Sequence, residues 1–496
     1  MTERCFIGAD VGTTGTKSML ISESGEVLGH AYAPYPLSAP GVSRSEQDAL
    51  DWWRGLVSTI REVVTKAGAQ DRVAAISLSL QGGTMVPVDE KLNPLRPAIV
   101  WNDRRAAKQA ADFASRFGKS YIYEKSGWHL SGSLNAMEIA WLRENEPDTY
   151  KKAAMFLSVP DFVSAKLTGR AALDISDAGI NELTDIRSGK YDPAILDFCG
   201  ISEAQLGDIL PSGAPIGYLT DAAKEELGLT GDVLLAAGAH DQYAGLLGAG
   251  VTEAGDVLIG TGTAWVVTAL TDAPNFESDL SQSISAVPGK WGSMECLSTG
   301  GVSLDWFLGN VARSGEDCEK LSYKYVDEHA AARAPGAGGL MFFPYFGGSS
   351  YPAGLSGAKA TFLGMDLSHD RFDMARAVME GVAFQIVLTV GAFDRRFGFS
   401  RLRMSGGATK SALWRQMVAD IAGRPVTMPA TPDLPCVGAA ILAGVGCGAY
   451  SSPAEGYRAM RIPSRVVEPS ENREKYGELL KLYEKRASAL GAVYGK

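Results

Sequence analysis

Two short turns built from glycine and threonine stand about 250 residues apart, and no other feature of the chain constrains its fold as strongly. The first is Asp10-Val11-Gly12-Thr13-Thr14-Gly15-Thr16-Lys17 and the second is Gly260-Thr261-Gly262-Thr263. Each follows an apolar run of strand character, Cys5-Phe6-Ile7-Gly8-Ala9 and Val257-Leu258-Ile259, and each is followed by another, so each reads as the tip of a β-hairpin. Glycine lets backbone amides approach a polyphosphate closely, and threonine hydroxyls add neutral donors. One such turn alone would read as readily as a plain turn. The pair at a long period points to an internal repeat with one phosphate-gripping hairpin in each half.

A chain of 496 residues exceeds what a single core supports, so the reading divides it into halves, 1–248 and 249–496. The first half opens with strands over 6–9, 18–21 and 27–31, an antiparallel meander. A helix over 48–65 follows, with Leu50, Trp53, Val57, Ile60 and Val64 on one face, then a buried strand over Val73–Leu80. This is a mixed sheet with a helical cover, of the α/β class. Another buried strand is predicted over 234–238, and the glycine-rich stretch 245–255 is the predicted boundary. In the second half a helix is predicted after Ser368 as N-cap, with Phe372, Ala375, Met379, Val382, Ala383 and Ile386 at helical spacing. A second carries Leu413, Trp414, Met417, Val418 and Ile421 and stops at Gly423, and a charged helix over 471–490 closes the chain.

With 57 acidic against 47 basic residues the net charge is −10, which argues against a nucleic-acid partner, and no Lys/Arg-rich block opposes that. Met1-Thr2-Glu3-Arg4 runs straight into the first strand without a signal-peptide pattern, and no apolar stretch reaches about 18 residues. The expectation is a cytoplasmic enzyme without a membrane partner. The six cysteines, Cys5, Cys199, Cys296, Cys318, Cys436 and Cys447, show no CxxC spacing and read as reduced thiols; five histidines leave little for a transition-metal site.

Asp10 poses a chemical question. A carboxylate at the end of a buried strand, beside a turn suited to phosphate, repels the ligand unless a cation lies between. Mg²⁺, which takes a carboxylate or two along with waters and phosphate oxygens, resolves the conflict; the alternative is an aspartate that caps the hairpin. Lys17 either neutralises phosphate charge or is a solvated lysine at the strand edge.

The pattern Asp-x-Gly-Thr-Thr-x-x-Lys, a central Gly238-Ala239-His240-Asp241-Gln242, the second Gly-Thr-Gly-Thr turn and Ser405-Gly406-Gly407-Ala408 together resemble the FGGY family of carbohydrate kinases. The resemblance extends from Phe6 to about Gly448 and includes two longer signature stretches, 137–147 and 362–381. In the first of these Glu138 stands where the family usually has lysine. The resemblance implies two actin-like (ribonuclease-H-like) domains around a deep cleft, with ATP on the C-terminal domain and the sugar mainly on the N-terminal one. It further implies Asp241 as the catalytic base that receives the proton of the accepting hydroxyl, a role a loop aspartate beside glycine would not suggest by itself. Gln242, Gln81, Gly82, Asp103 and Arg104 are the implied substrate contacts. Thr13, Thr14, Lys17, Thr261, Gly262, Thr263, Gly301, Gly406 and Gly407 are the implied ATP contacts, and Asp10 the metal anchor.

Which acceptor is bound is less determinate. Glycerol kinases share Trp-x-Asp-Arg-Arg with Trp101–Arg105 but usually have Arg-Glu where Gly82-Gly83 stand, while xylulose kinases share Trp-Asn-Asp but usually have Met-His-Gly in the first loop. Two glycines remove bulk, so the pocket is expected to take something longer than glycerol. The expected reaction is ATP-dependent, Mg²⁺-assisted phosphorylation of a small sugar or polyol, with a ketopentose such as D-xylulose ahead of glycerol. A homodimer is compatible with it. An actin- or chaperone-like ATPase switch would need a peptide-binding appendage or a polymerisation surface, and a degenerate kinase kept as a sensor would not need intact Asp10, Asp241 and both turns.

Overall fold

The computed structural model describes residues 3–494 apart from 277–279, 315–318, 350, 352–354, 356 and 432. Cys318 lies outside the described residues; the other five cysteines are free thiols.

In chain order, the elements that place the site are β1 (Cys5–Val11), β2 (Gly15–Ser22), β3 (Val27–Pro34), α1 (Ala49–Ala67), β4 (Val73–Leu80), β5 (Pro215–Tyr218), β6 (Leu234–His240) and α2 (Asp241–Gly248). They continue as β7 (Asp256–Thr261), β8 (Trp265–Thr271), α3 (Arg371–Phe397), β9 (Arg401–Gly406), α4 (Ala412–Ala422), β10 (Val426–Pro429), α5 (Leu434–Gly446), β11 (Ser464–Val467) and α6 (Arg473–Tyr494). Both Gly-Thr turns are hairpin tips, joining β1 to β2 and β7 to β8 in antiparallel register.

By contacts the chain forms two units. The first comprises 1–252, 270–293 and 431–462; the second comprises 253–269, 294–430 and 463–496. These are discontinuous, unlike the consecutive halves read from the sequence. The reason lies in α5, which is distant in sequence yet packs on β1, β4, β6 and α2 of the first unit. Its approach is backbone to backbone: a Cβ on Gly8 would lie 1.8 Å from Cys436 O, and one on Gly438 would lie 2.0 Å from Ala244 O. Glycine is required at such contacts because no side chain fits.

The sheet of the first unit has the order β5-β6-β4-β1-β2-β3. β1 and β6 flank β4 in parallel, and β1, β2 and β3 form the predicted antiparallel meander. α1 covers it, but its most buried face runs through Trp52, Leu56, Ile60 and Val63, while Leu50, Trp53 and Val57 are partly buried at its edge. In the second unit five neighbouring strands of a seven-stranded sheet, in the order β8-β7-β9-β10-β11, repeat the theme of an antiparallel hairpin beside parallel strands.

α3 begins two residues later than expected. Asp370, not Ser368, is its N-cap: it accepts from the amides of Phe372 and Asp373, and Asp373 reciprocates in a capping box, whereas Ser368 donates its hydroxyl to Asp366. α3 is long and apolar enough to cross a membrane by length and composition, but 89% of its apolar window is buried inside the protein, as in a core helix.

Candidate active site

In the first unit, β1, β4 and β6 end side by side and deliver their following residues to one place. β1 ends in Asp10 and the Gly12-Thr13-Thr14 tip, β4 leads into Gln81-Gly82-Gly83-Thr84, and β6 runs to His240, so that Asp241 opens α2 directly. Three successive carbonyls of the tip are taken by donors. Tyr35 Oη donates to Gly12 O at 2.6 Å, Gln47 Nε2 to Thr13 O at 2.7 Å, and Tyr32 Oη to Thr14 O at 3.2 Å. Oxygens that would repel a phosphate are thereby turned to the protein.

Asp10 is 7% exposed and accepts from Ser79 Oγ at 2.8 Å. Lys17 Nζ lies 3.4 Å from its other oxygen and 2.7 Å from Asp433 Oδ2. Burial first, and then the Asp433 carboxylate, push the Asp10 carboxyl up to about 7 against the pull of Lys17, with Asp241 adding a further upward push. One ammonium therefore lies between two carboxylates, with Asp241 near enough to act on Asp10. Lys17 is held by both and is not a free strand-edge cation. Asp433, the N-cap of α5, escaped the sequence reading, although an aspartate two residues before Pro435 is a helix-start signal.

The Gly82-Gly83 loop departs from expectation. A Cβ on Gly82 would meet Asp177 Oδ1 and His240 Cδ2, each at 2.7 Å, and one on Gly83 would meet Leu134 Cδ2 at 2.6 Å. The missing side chains do not open a larger pocket; they admit a buried acid, an imidazole and a leucine. Asp177 is 1% exposed, neither of its oxygens has a protein hydrogen-bond partner, and burial holds its carboxyl well above the usual range, with Asp174 and Asp241 contributing. His240 Nε2 lies 3.5 Å from Asp241 Oδ1. The side chain of Asp241 is 33% exposed, and Gln242 beside it is half-buried.

Asp103 is also corrected. It is fully buried, and its oxygens accept from Ser45 N at 2.7 Å and from Arg105 N, Nε and NH2 at 2.8, 2.9 and 2.8 Å. It fastens a loop, and Arg105 is further tied to Glu46. Arg104 is exposed. Gln81 is 2% exposed and bonded to Thr13 and Gln47.

In the second unit, Thr261, Gly262, Thr263, Gly301 and Gly407 line a cavity of about 640 Å³ together with Trp265, Tyr323, Lys410 and Trp414. Thr261 is a fastener: its hydroxyl donates to Ser405 O at 2.6 Å and accepts from Ala408 N at 3.1 Å. Gly406 permits this closeness, since with φ +94 its Cβ would lie 2.5 Å from Thr261 O. Ser411 caps α4, whose Trp414 packs 4.9 Å from the Trp265 ring, and the two indoles form one apolar wall. The cavity thus combines a glycine-rich edge for phosphates with an aromatic and apolar side for a flat base.

The chain belongs to the FGGY family of carbohydrate kinases: the family's N-terminal domain matches residues 5–248 and its C-terminal domain residues 257–447. It is 29% identical over 483 residues to the xylulose kinase of Bacillus subtilis (strain 168), covering 96% of this chain and 95% of that one. It is 26% identical over 454 residues to the gluconokinase of the same organism, covering 90% and 88%. The crystal structure of the xylulose kinase from Rhodospirillum rubrum superposes with a TM-score of 0.90 at 27% identity, covering 99% of this chain and 100% of that one. The protein is a sugar kinase that uses ATP and a small-molecule acceptor, on the two-domain, actin-like FGGY fold.

Proposed function

We propose that this kinase phosphorylates a neutral ketopentose, D-xylulose foremost, in the cytoplasm. The observation that carries the reading is the polar character of the acceptor side: the carboxyl of Asp177 and the ring of His240 abut Gly82, Asp241 follows beside that ring, and the nearby Arg105 is neutralised by Asp103 and Glu46. Such a site suits a polyol, whose hydroxyls both donate and accept, better than the carboxylate of gluconate. End-to-end similarity to proteins named xylulose kinase supports it.

In this reading residues 1–248 carry the acceptor and the base, and 249–496 carry the nucleotide. Asp241, partly exposed at the start of α2, receives the proton of the accepting hydroxyl, and His240 steadies its carboxylate. Gln242 and Arg104 offer donors and acceptors to the remaining hydroxyls, and the enclosed Gln81 holds the loop beneath them. In the first unit Thr14 and the amide edge of the tip suit phosphate; in the second unit Gly262, Thr263, Gly301 and Gly407 line the nucleotide cavity. Asp10 fits a Mg²⁺ ion: a buried carboxylate beside Asp433 and Asp241, with a single lysine among them, has unmet demand for positive charge. No group of three His, Cys, Asp or Glu residues arranged for a metal occurs among the described residues, and Mg²⁺ does not need one, since waters and phosphates complete its shell. When bound, Mg²⁺ supplies charge neutralisation to the phosphate oxygens.

The test is ADP release with D-xylulose, D-gluconate and glycerol compared by kcat/KM. The ketopentose should lead. A higher value for gluconate would refute the charge argument, and a higher value for glycerol would assign the protein to the polyol branch.

A further inference from the structure

Hydrogen-bond direction in the first unit follows from one group that can only donate. The indole Nε1 of buried Trp52 lies 2.6 Å from Gln47 Oε1, so that atom must be the carbonyl oxygen and the amide nitrogen must face Thr13 O, 2.7 Å away. Gln47 Oε1 then also accepts from Gln81 Nε2 at 3.0 Å, which turns Gln81 Oε1 toward Thr13 Oγ1 at 2.9 Å. The Thr13 hydroxyl has one hydrogen and gives it to Gln81. Its lone pair receives Trp101 Nε1–H at 3.0 Å, and no other polarity satisfies every member. The Thr13 hydroxyl proton is therefore directed to Gln81 in this structure, not toward the open side of the tip.

The relay joins five separate pieces of chain: α1, the Glu46–Gln47 strand, the hairpin tip, the acceptor loop and the turn at Trp101. Trp101 is 46% exposed, and its Cβ lies 3.4 Å from where a Cβ on Gly83 would stand. Its backbone N donates to Thr84 Oγ1 at 3.3 Å. The exposed indole is thus hung over the Gly82–Thr84 loop from two points, one of them the relay's last bond.

We propose that Gln47 is a positioning residue for the acceptor: through Thr13 and Gln81 it sets the orientation of the Trp101 ring, and that ring forms one wall of the sugar site. This rests on the reading of the 81–84 loop as the acceptor loop. Gln47 touches no reacting atom; it acts by fixing which way two side chains point.

The experiment uses full-length Gln47→Glu, Trp101→Phe and the double variant. A glutamate keeps both acceptor bonds, to Trp52 and Gln81, and replaces the donor to Thr13 O with an oxygen that repels it. Phenylalanine keeps an aromatic ring at position 101 but removes the indole N–H together with the five-membered half of the ring system, at an exposed site where folding is not at stake. Each single variant should raise KM for D-xylulose about fivefold or more while KM for ATP stays within about twofold, and the double variant should be no worse than the worse single one, because both cut the same relay. An unchanged sugar KM in both folded single variants, or independent multiplying effects in the double, would overturn the proposal. A second readout needs no substrate: the Trp101 emission, taken as the difference between chains with and without the indole, should change when Gln47 becomes glutamate. If wild-type protein phosphorylates no ketose, the proposed function falls but this emission still decides the relay. An unchanged Trp101 emission would overturn it.

Discussion

Two aspartates near the Gly82 loop show how surroundings separate like side chains. Asp241 is partly open to solvent with an imidazole beside it, while Asp177 is enclosed and burial pushes its carboxyl well above the usual carboxylate range. Replacing Asp241 with asparagine should lower kcat by about 100- to 1000-fold and leave ADP affinity, measured by calorimetry, unchanged, because loss of a base acts on the transition state. Near-wild-type turnover would remove it from that role. Gly82→Ala tests the crowding directly. A methyl there meets three buried side chains, Asp177, His240 and Ile180, each at 2.7 Å, and overpacking costs about 1–3 kcal/mol, so both melting temperature and kcat/KM should fall. A fully active, equally stable variant would show that the space is free. Asp241, Gln81 and Gly82 were legible in the sequence because they sit in short motifs at strand ends. Gln47, Asp177 and Asp433 were not, since each acquires its neighbours only when strands or helices far apart in the chain are brought together.

Among the elements, hairpin tips and strands were read well, because a turn between two apolar runs is a local signal. Helix faces and caps were read less well: α1 buries Trp52 rather than Trp53 most deeply, and α3 takes the stronger capping pair Asp370 and Asp373 over a nearby serine. The helix Val159–Thr168 offers a pH test away from the site. Burial pushes its Asp161 up to about 7 from an ordinary 3.8, outweighing the hydrogen bond from Ser158 at 2.8 Å. Between those values the unfolded chain has lost the proton that the folded protein keeps, so stability falls as pH rises through that window and is lowest above it. Asparagine carries no charge at any pH. Asp161→Asn should therefore raise the melting temperature at pH 8 and do much less at pH 4. An equal change at both values would contradict the assigned shift.

For the whole molecule, the sequence disclosed a duplication and two halves, but not that the first unit reclaims residues 431–462. Hydrophobic patterning reports that α5 is apolar and buried, not which sheet it covers. A chain ending at Thr252 lacks that helix and bares β1, β4 and β6, so it should expose dye-binding apolar surface and aggregate, whereas addition of a peptide spanning 431–462 should reduce both. A soluble, cooperatively melting 1–252 would show that α5 is dispensable. The glycine contacts that seat α5 on β1 also impose a schedule on biosynthesis. With translation at about 5–20 residues per second, roughly 10–40 s separate the emergence of the last residue of 1–252 from that of the end of α5. For that interval a nascent sheet waits on the ribosome with one face bare, and a chaperone that shields apolar surface would find its longest opportunity there.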